Sequence, residues 1–305
     1  MRLARRQFRK LDGILLLDKP LGMSSNKALQ EARFLFAAEK AGHTGSLDPL
    51  ASGMLPLCFG EATKVSGFLL DADKRYLTTA RFGYTSTTGD EEGEKQLIQA
   101  CPNITSEKLG AVLAQFRGEI QQIPPMYSAL KKDGQPLYKL ARQGIEVERA
   151  ARTVVIHDLK LLDCSSDSAT LEVQCSKGTY IRTLVEDIGA ALGVGAYVAS
   201  LRRTAVSPFN SLPMYSLETL TAFKNQQERL DEFLLPVDQA LTHLPKLDLS
   251  EAESLLIQQG QKLVLEQKTE SGLYRLYKKN NEQVQFIGIG EVSNNVLRVK
   301  RLLAY

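Results

Sequence analysis

Cysteine and histidine are scarce in this sequence and lack the spacing of a metal site. Four cysteines and three histidines are scattered along 305 residues, with no Cys-x-x-Cys pair among them. Such spacing fits neither a zinc framework nor a disulfide scaffold, and reduced thiols are typical of the cytoplasm. We therefore predict a cytoplasmic protein without a bound metal.

Long apolar runs and nucleotide-binding loops are absent as well. No stretch approaches the roughly 20 apolar residues that a membrane-spanning helix needs. The apolar run at residues 13–17 is too short for the core of a signal peptide. The chain has neither a Gly-x-x-x-x-Gly-Lys loop nor a Gly-x-Gly-x-x-Gly fingerprint. We expect no membrane association and no nucleotide cofactor.

The net charge is small, only +3 at pH 7, so the total does not indicate a nucleic-acid partner. The cations cluster locally instead. Residues 1–10 hold five basic residues and no acidic one, and they form either a solvated tail or an arm that contacts phosphates. Residues 124–152 interleave tyrosines with lysines and arginines. That segment suits phosphate neutralisation and base stacking, and the alternative is a charged surface helix with an aromatic anchor.

Glycine and proline are concentrated between residues 42 and 60. These nineteen positions hold four glycines and two prolines, and they open with Gly-His-Thr-Gly-Ser-Leu-Asp-Pro. The density predicts a tightly turned loop rather than a helix. The loop carries one carboxylate, Asp48, and one imidazole, His43. Asp48 is either a nucleophile or general base, or a turn residue before Pro49.

Periodicity predicts an alternation of short strands and amphipathic helices. The predicted elements are strands at 11–18 and 75–82, helices at 24–38 and 106–116, a hairpin over 154–175, a helix ending near 192, a capping box at 250–253, and four short strands in the last 45 residues. The closely spaced final strands favour a small β-barrel module. Arg182 falls in a first helical turn, where a cation opposes the helix dipole, so we expect a carboxylate partner.

Several strings resemble the TruB family, the bacterial pseudouridine synthases that modify the T-arm of tRNA. Besides the Asp48 loop, they are Gly13-Ile14-Leu15-Leu16-Leu17-Asp18-Lys19-Pro20, Gly22-Met23-Ser24-Ser25, Gly60-Glu61-Ala62-Thr63-Lys64, Asp73-Lys74-Arg75-Tyr76, Pro124-Pro125-Met126-Tyr127-Ser128-Ala129 and Ser176-Lys177-Gly178-Thr179-Tyr180-Ile181-Arg182-Thr183. They occur in the family's order and span most of the chain. Ser46 stands where the family often has threonine, and the C-terminal strands resemble the family's PUA-type module more loosely.

The resemblance implies an α+β fold with a mixed, largely antiparallel sheet, packed helices and a small C-terminal barrel. Residues 1–245 would form the catalytic domain, with 124–152 as a thumb-like segment that contacts RNA, and 246–305 a PUA-like RNA-binding domain. The implied reaction isomerises uridine to pseudouridine in the TΨC loop after the base is flipped out. The implied partner is the T-arm stem-loop of tRNA, bound by a monomer that needs no cofactor.

The resemblance also implies the site residues. Asp48 would be the catalytic nucleophile, attacking C6 of the base or C1′ of the sugar, or assisting a glycal route. Arg182 would lie beside Asp48 and lower its pKa, since an opposite charge favours the ionised form. Tyr76 would stack on the uracil. The remaining substrate-binding candidates are Tyr180 and Leu201 in the base pocket, His43 near the vacated position, and Lys19 and Lys64 as supporting contacts or ordinary surface lysines.

Two other functions remain as alternatives. A non-catalytic RNA-binding or RNA-folding protein could use the same basic cleft, although it would need neither Asp48 nor Arg182, and both are present. A hydrolase acting on nucleosides usually needs two carboxylates in its site. The next acid after Asp48 along the sequence is Glu61, which belongs to a separate motif.

Overall fold

The structure is a computed structural model that describes residues 7–279 and 283–304. Residues 1–6, and with them most of the predicted basic arm, lie outside the described residues. Two β-sheets, of nine and five strands, organise the described part of the chain, together with two short two-stranded ribbons. No helix in residues 7–279 and 283–304 is long and apolar enough to cross a membrane.

The strands of the large sheet and the ribbons come first along the chain. They are β1 Gly13–Lys19, β2 Ala41–His43, β3 Ala51–Phe59, β4 Lys74–Phe82, β5 Tyr84–Ser86, β6 Lys95–Leu97, β7 Gly118–Gln122, β8 Lys131–Lys132, β9 Gln135–Pro136, β10 Arg152–Cys164, β11 Ser168–Cys175, β12 Ala196–Val206 and β13 Tyr215–Ser216. The small sheet contains β14 Lys246–Leu249, β15 Leu263–Val264, β16 Gly272–Lys279, β17 Val284–Ser293 and β18 Val296–Leu302.

The helices pack around these sheets. They are α1 Ser25–Leu35, α2 Ser66–Leu70, α3 Ser106–Ala114, α4 Leu137–Ala141, α5 Ile181–Leu192, α6 Leu217–Thr221, α7 Gln227–Asp231 and α8 Glu251–Gln258, with 3-10 turns at Gly60–Lys64 and Val237–Leu241. Local signals account for several of the boundaries. Ser24 caps α1, and Ser250 with Glu253 forms the predicted capping box of α8.

The large sheet is mixed and largely antiparallel. Its order is β13-β1-β3-β12-β4-β11-β10-β7, with β2 beside β3, and only the β1–β13 and β3–β12 pairs are parallel. Along β4, Tyr76, Thr78, Ala80 and Phe82 are all buried, as the alternation of that strand predicts. The predicted α+β fold class is confirmed.

Helix α5 and the sheet enclose the first hydrophobic core. Leu184, Val185 and Ile188 of α5 are fully buried in one cluster that also holds Ala80 of β4 and Val173 of β11. This packing holds the N-terminus of α5, where Arg182 lies, against the middle of the sheet.

The small C-terminal sheet is a curled half-barrel of the PUA-like kind, with strand order β14-β16-β17-β18-β15. The four strands predicted at the end of the chain are present, although the first of them shrinks to Leu263–Val264. A strand not predicted, β14, joins the edge of the sheet by parallel pairing with β16.

The two sheets share a hydrophobic cluster. Tyr277, Phe286 and Ile289 of the small sheet are buried in the same cluster as Val206, the last residue of β12, and Phe209. Polar contacts join the same elements: the Tyr277 hydroxyl donates to Asp238 Oδ2 at 2.6 Å. The C-terminal module is therefore packed against the rest of the chain, not tethered loosely to it.

Residues 124–152 contain little regular structure. Only the two-residue strands β8 and β9 and the short helix α4 interrupt them, and Lys131 and Lys132 are exposed. Leu137 is the buried anchor of the segment. The stretch thus presents its cations at the surface without forming the long charged helix that was the alternative prediction.

Candidate active site

The Asp48 loop connects β2 to β3 and is held by hydrogen bonds to its backbone. The buried hydroxyl of Ser25 in α1 accepts from Leu47 N at 2.7 Å and donates to Leu47 O at 2.9 Å. Ala51 N donates to Asp48 O at 3.0 Å, which closes the turn after the carboxylate. Asp48 is therefore presented on a fixed backbone, with 43% of its side chain exposed.

Arg203 supports this loop from below. Its guanidinium donates from Nε to Met54 O at 2.7 Å and from Nη2 to Gly45 O at 3.1 Å, and the residue is only 1% exposed. The neighbouring Arg202 forms an ion pair with Asp18 at 2.7 Å. The guanidinium groups of these two neighbouring arginines are therefore both bound within the protein.

Arg182 is the partner that the structure gives to Asp48. Its Nη2 lies 3.1 Å from Asp48 Oδ2, and only 6% of the Arg182 side chain is exposed. Nη1 donates to Thr88 O at 2.9 Å, and Nη2 donates to Tyr127 O at 2.7 Å. The guanidinium is thus held in one orientation by two loops, which explains a cation in the first turn of α5.

Asp90 is the site residue that sequence reasoning missed. Its Oδ2 lies 3.7 Å from Arg182 Nη1, its side chain is 10% exposed, and Thr88 Oγ1 donates to its other oxygen. The acidic composition of residues 89–94 favours a solvated loop, but the Asp90 side chain is nearly buried. The signal in the sequence was the glycine just before Asp90. Gly89 has φ +74°, and a Cβ there would meet Glu186 Oε1 at 2.8 Å, so the turn must pack tightly.

Burial raises the pKa of the Asp48 carboxyl above its usual range. The charge of Arg182 lowers this pKa, that of Asp90 raises it again, and that of Lys19 lowers it, and the balance is upward. Arg182 was predicted to lower this pKa, and its charge does act in that direction. Desolvation outweighs the effect of the Arg182 charge on the Asp48 pKa. Asp90 also interacts with the same guanidinium group.

Lys19 is buried beside the site, with no exposed surface. Its Nζ donates to Pro20 O at 2.9 Å and to Met23 O at 2.6 Å. Burial lowers its pKa to about 8, while the charge of Asp48 raises it and that of Arg203 lowers it. Lys19 is neither a surface lysine nor placed to bind a phosphate; it is a cation behind the Asp48 loop.

Lys64 is not brought to the site. Its ammonium lies 2.6 Å from Glu61 Oε2 and donates to Leu302 O at 3.0 Å, so it joins the 3-10 turn after β3 to strand β18. Lys64 was predicted to contact the substrate, but its ammonium group is bound within the protein instead. Glu61, the next acid after Asp48 along the sequence, is also bound elsewhere, since it accepts a hydrogen bond from Ala304 N at 2.6 Å.

Leu201 and Tyr76 lie on the sheet beneath the loop. Leu201, in β12, pairs with Ala51 and lines one small pocket together with Asp48 and Arg182. Tyr76, in β4, is buried and pairs with Arg203 across the strands. Burial raises the pKa of the Tyr76 hydroxyl, which keeps it protonated at neutral pH.

His43 and Tyr180 flank the site from two different elements. His43 ends β2, and its buried Nδ1 has no hydrogen-bond partner within residues 7–279 and 283–304. Burial, then the charge of Arg203, lowers the pKa of His43, so the ring is neutral at pH 7. Tyr180 precedes α5, where its backbone N–H donates to Gln122 Oε1 at 3.0 Å.

A carboxylate on a fixed loop, a buried arginine and a mixed sheet beneath them are the features of a pseudouridine synthase. The sequence agrees over nearly its whole length. Residues 33–181 match the TruB family pseudouridylate synthase N-terminal domain, residues 182–242 the tRNA pseudouridylate synthase B C-terminal domain, and residues 245–303 the C-terminal domain of pseudouridine synthase II TruB. The chain belongs to the TruB family of pseudouridine synthases, which are RNA-modifying isomerases.

Named relatives cover nearly the whole chain. The tRNA pseudouridine synthase B of Ectopseudomonas mendocina (strain ymp) is 55% identical over 300 residues, covering 97% of this chain and 96% of its own. The protein of the same name from Pseudomonas aeruginosa (strain UCBPP-PA14) is 55% identical, covering 94% of each chain. Among solved structures, the crystal structure of a Cbf5–Nop10–Gar1 complex has a TM-score of 0.71 at 25% identity, covering 95% of this chain and 84% of that one.

Proposed function

We propose that this enzyme converts uridine to pseudouridine in the TΨC loop of tRNA, with Asp48 as the catalytic carboxylate. The observation that carries the proposal is the Asp48–Arg182 pair, a half-exposed carboxylate 3.1 Å from a buried guanidinium. The tRNA substrate follows the names of the relatives, which are tRNA pseudouridine synthases over almost the same length. Action in the cytoplasm, as a monomer, belongs to the same proposal.

The reaction needs little beyond a correctly placed carboxylate. The N1–C1′ bond breaks, the base turns and C5 joins C1′; C5 then loses its proton, which restores the C5–C6 double bond, and N1 takes up a proton. No atom is gained or lost, so no redox group or co-substrate enters the balance. The guanidinium of Arg182, 3.1 Å away, favours the ionised form of Asp48 against the burial that raises its pKa.

The surroundings of Asp48 suit a base that has left its stack. The bond to be broken is inaccessible inside a folded RNA loop, so the nucleotide must be flipped out. In this proposal Tyr76 forms the floor under the uracil, Leu201 and Tyr180 form the walls, and His43 contacts the RNA near the vacated position. Tyr76 lies two positions along β4 from Thr78, the strand partner of Leu201, and Leu201 lines the pocket of Asp48.

RNA binding outside the site falls to two segments in this proposal. Residues 124–152 supply exposed cations and one contact to the site itself, through the carbonyl of Tyr127 that accepts from Arg182. A segment that both binds phosphates and touches the catalytic arginine can report RNA binding to the site. Residues 246–305 form the PUA-like RNA-binding module, and residues 1–245 the catalytic domain.

The hydrolase alternative gains no support from the second carboxylate. Asp90 is nearly buried and already shared by Arg182 and Thr88. It is not open to a leaving group or a water, as a general acid must be. In the non-catalytic alternative the half-exposed Asp48 would have no role. A carboxylate in an RNA-binding cleft repels the phosphates of the RNA.

The test is Asp48→Asn, which keeps the shape of the side chain and deletes its charge. We expect no pseudouridine in a tRNA T-arm stem-loop, and RNA affinity within a few-fold of wild type. Mass spectrometry after chemical derivatisation separates pseudouridine from uridine in single-turnover reactions. Asp163→Asn, at an exposed position far along the chain, is the matched control. Conversion by Asp48→Asn would remove Asp48 from the catalytic role.

A further inference from the structure

A cleft of about 650 Å³ separates the catalytic core from the C-terminal module. One wall is the α2 helix and the turn before β4, and the other is formed by β17 and β18. Its volume falls within the roughly 300–1,000 Å³ typical of small-ligand sites. It shares no lining residue with the pocket of Asp48 and Arg182.

The lining carries a small excess of basic side chains, Lys64, Lys300 and Arg301 against Asp71 and Asp73. Asp71 forms an ion pair with Lys177 at 3.1 Å. Asp73 lies 3.2 Å from His157, a contact that is an ion pair only when the imidazole is protonated.

On the opposite wall the cations are less committed. Lys300 has only an exposed contact to Glu291 at 3.4 Å. Arg301 is exposed, and no carboxylate within the described ranges lies within ion-pair distance of it. An anion entering the cleft therefore meets one guanidinium and one ammonium from adjacent positions of β18.

Aromatic and apolar groups lie beside these cations. Phe68 and His243 have ring centroids 5.9 Å apart at 45°, and the His243 ring is exposed. Burial, then the charge of Arg275, lowers the pKa of His243, so its ring is neutral at pH 7. Ala240 and Ile289 form a buried apolar floor.

We propose that this cleft binds one nucleoside phosphate, with the base against Phe68 and His243 and the phosphate on Arg301 and Lys300. A flat apolar surface and a cationic edge are what a base and its phosphate each require. A free anion would use only the cations, and an apolar ligand only the floor. The combination selects a molecule that carries both parts.

The nucleotide has two possible sources, an unpaired nucleotide of the bound RNA or a free mononucleotide. The wall formed by residues 71–73 continues directly into β4, which carries Tyr76 three residues further on. A ligand in the cleft therefore sits at the end of the strand that forms the proposed base platform. The inference goes beyond the proposed reaction and does not require Asp48.

The experiment is a calorimetric titration of the full-length protein with adenosine, cytidine, guanosine and uridine 5′-monophosphates, and with inorganic phosphate. We expect at least one mononucleotide to bind more tightly than phosphate. Arg301→Ala should weaken that binding about tenfold, which is what loss of one charge-assisted contact amounts to. Arg298→Ala is the matched control, since it removes the same charge from the same strand outside the cleft. His243→Ala should weaken nucleotide binding while leaving phosphate binding unchanged.

Competition then separates the two sources. If intact tRNA displaces the mononucleotide and tRNA trimmed of its single-stranded 3′ end does not, the site takes an RNA nucleotide. If neither RNA displaces it, the ligand is a free nucleotide. Absence of mononucleotide binding, or binding that Arg301→Ala and His243→Ala leave intact, overturns the inference. The pseudouridine assay on Asp48→Asn is independent of all these results, so the two proposals fail separately.

Discussion

At the scale of single residues, the site is organised around one guanidinium that serves several partners. Arg182 binds Asp48, Asp90 and two backbone carbonyls, and almost none of it is exposed. Lys19 adds a second cation behind the loop. The ionisation of Asp48 is therefore set by charges of both signs at fixed positions, and changing either sign should move it predictably.

The acid side of the pH–rate profile tests this balance. Catalysis requires ionised Asp48, so the rate falls as the pH drops through its pKa. Lys19→Met removes a positive charge, which raises the Asp48 pKa further and moves the acid limb to higher pH. Asp90→Asn removes a negative charge, which lowers that pKa and moves the limb to lower pH. Single-turnover rates between about pH 4 and 9 give both midpoints.

Plateau rates will fall in both variants, because each side chain also holds structure, so only the midpoints are diagnostic. Lys27→Met is the control for the lysine, since Lys27 is an exposed residue of α1. Midpoints that move in the same direction in Lys19→Met and Asp90→Asn would contradict the electrostatic account of Asp48.

At the scale of elements, the parallel pairing of β3 with β12 is what sets the Asp48 loop over the sheet. Gly53 pairs with Arg203 in this register and has φ +101°. A Cβ on Gly53 would lie 2.2 Å from Arg203 O. Only glycine allows the two strands to approach so closely, and that approach carries the Arg203 side chain to Gly45.

Gly53→Ala should therefore destabilise the protein by about 3 kcal/mol or more, through backbone strain and the separation of two strands. Gly193→Ala is the control, because Gly193 also has a positive φ, of +76°, but open space around it. That change should cost only about 1 kcal/mol, the price of the left-handed conformation alone. Urea unfolding measures both free energies. If both variants lost the same free energy of unfolding, the close approach of Gly53 to Arg203 would not be the cause of the destabilisation.

The thumb-like segment is the second element with a distinct prediction. Replacing Lys131 and Lys132 by Ala should flatten the slope of log affinity against log salt by about 1.4 to 1.8 units, since each phosphate contact contributes about 0.7 to 0.9. The measurement is a salt titration of tRNA binding. Lys224→Ala with Arg229→Ala removes the same charge near α7 and should leave the slope unchanged. An unchanged slope in the Lys131/Lys132 variant would remove residues 124–152 from the RNA interface.

At the scale of the whole molecule, the proposed catalytic groups are separate in sequence from the C-terminal module, which packs against the rest of the chain through a shared hydrophobic cluster. Asp48, Tyr76 and Arg182 all precede the small sheet, which nevertheless contributes Tyr277 and Ile289 to a shared hydrophobic cluster. The module should therefore affect stability directly and chemistry only indirectly.

A protein ending at Thr242 tests this division. We expect it to unfold at a lower temperature than the full chain, because the removal of the small sheet exposes the partners of Tyr277, Phe286 and Ile289 in the core. At a temperature where it is folded, it should still form pseudouridine in a T-arm stem-loop. Circular dichroism gives the unfolding temperature and mass spectrometry the activity. A folded but inactive fragment would show that the module completes the site.

The sequence by itself determined the local elements and the chemistry-bearing strings. The alternation along β4, the capping box of α8 and the Gly-rich turn around Asp48 each follow from neighbours within a few residues, where hydrogen bonding and side-chain direction act. The partnership of Asp48 with Arg182 followed from the resemblance to a family and from a cation in an unfavourable helical turn.

Only the tertiary structure decided what those side chains face. Asp90 reaches Arg182 from a loop 92 positions earlier in the chain, and Arg203 turns inward to bind Gly45. Lys64 turns to the small sheet instead of the substrate. These outcomes depend on desolvation and on contacts between distant strands. A charged residue looks the same in a sequence whether its side chain will contact solvent, RNA or a buried carboxylate. Only the packed fold determines which of these it contacts.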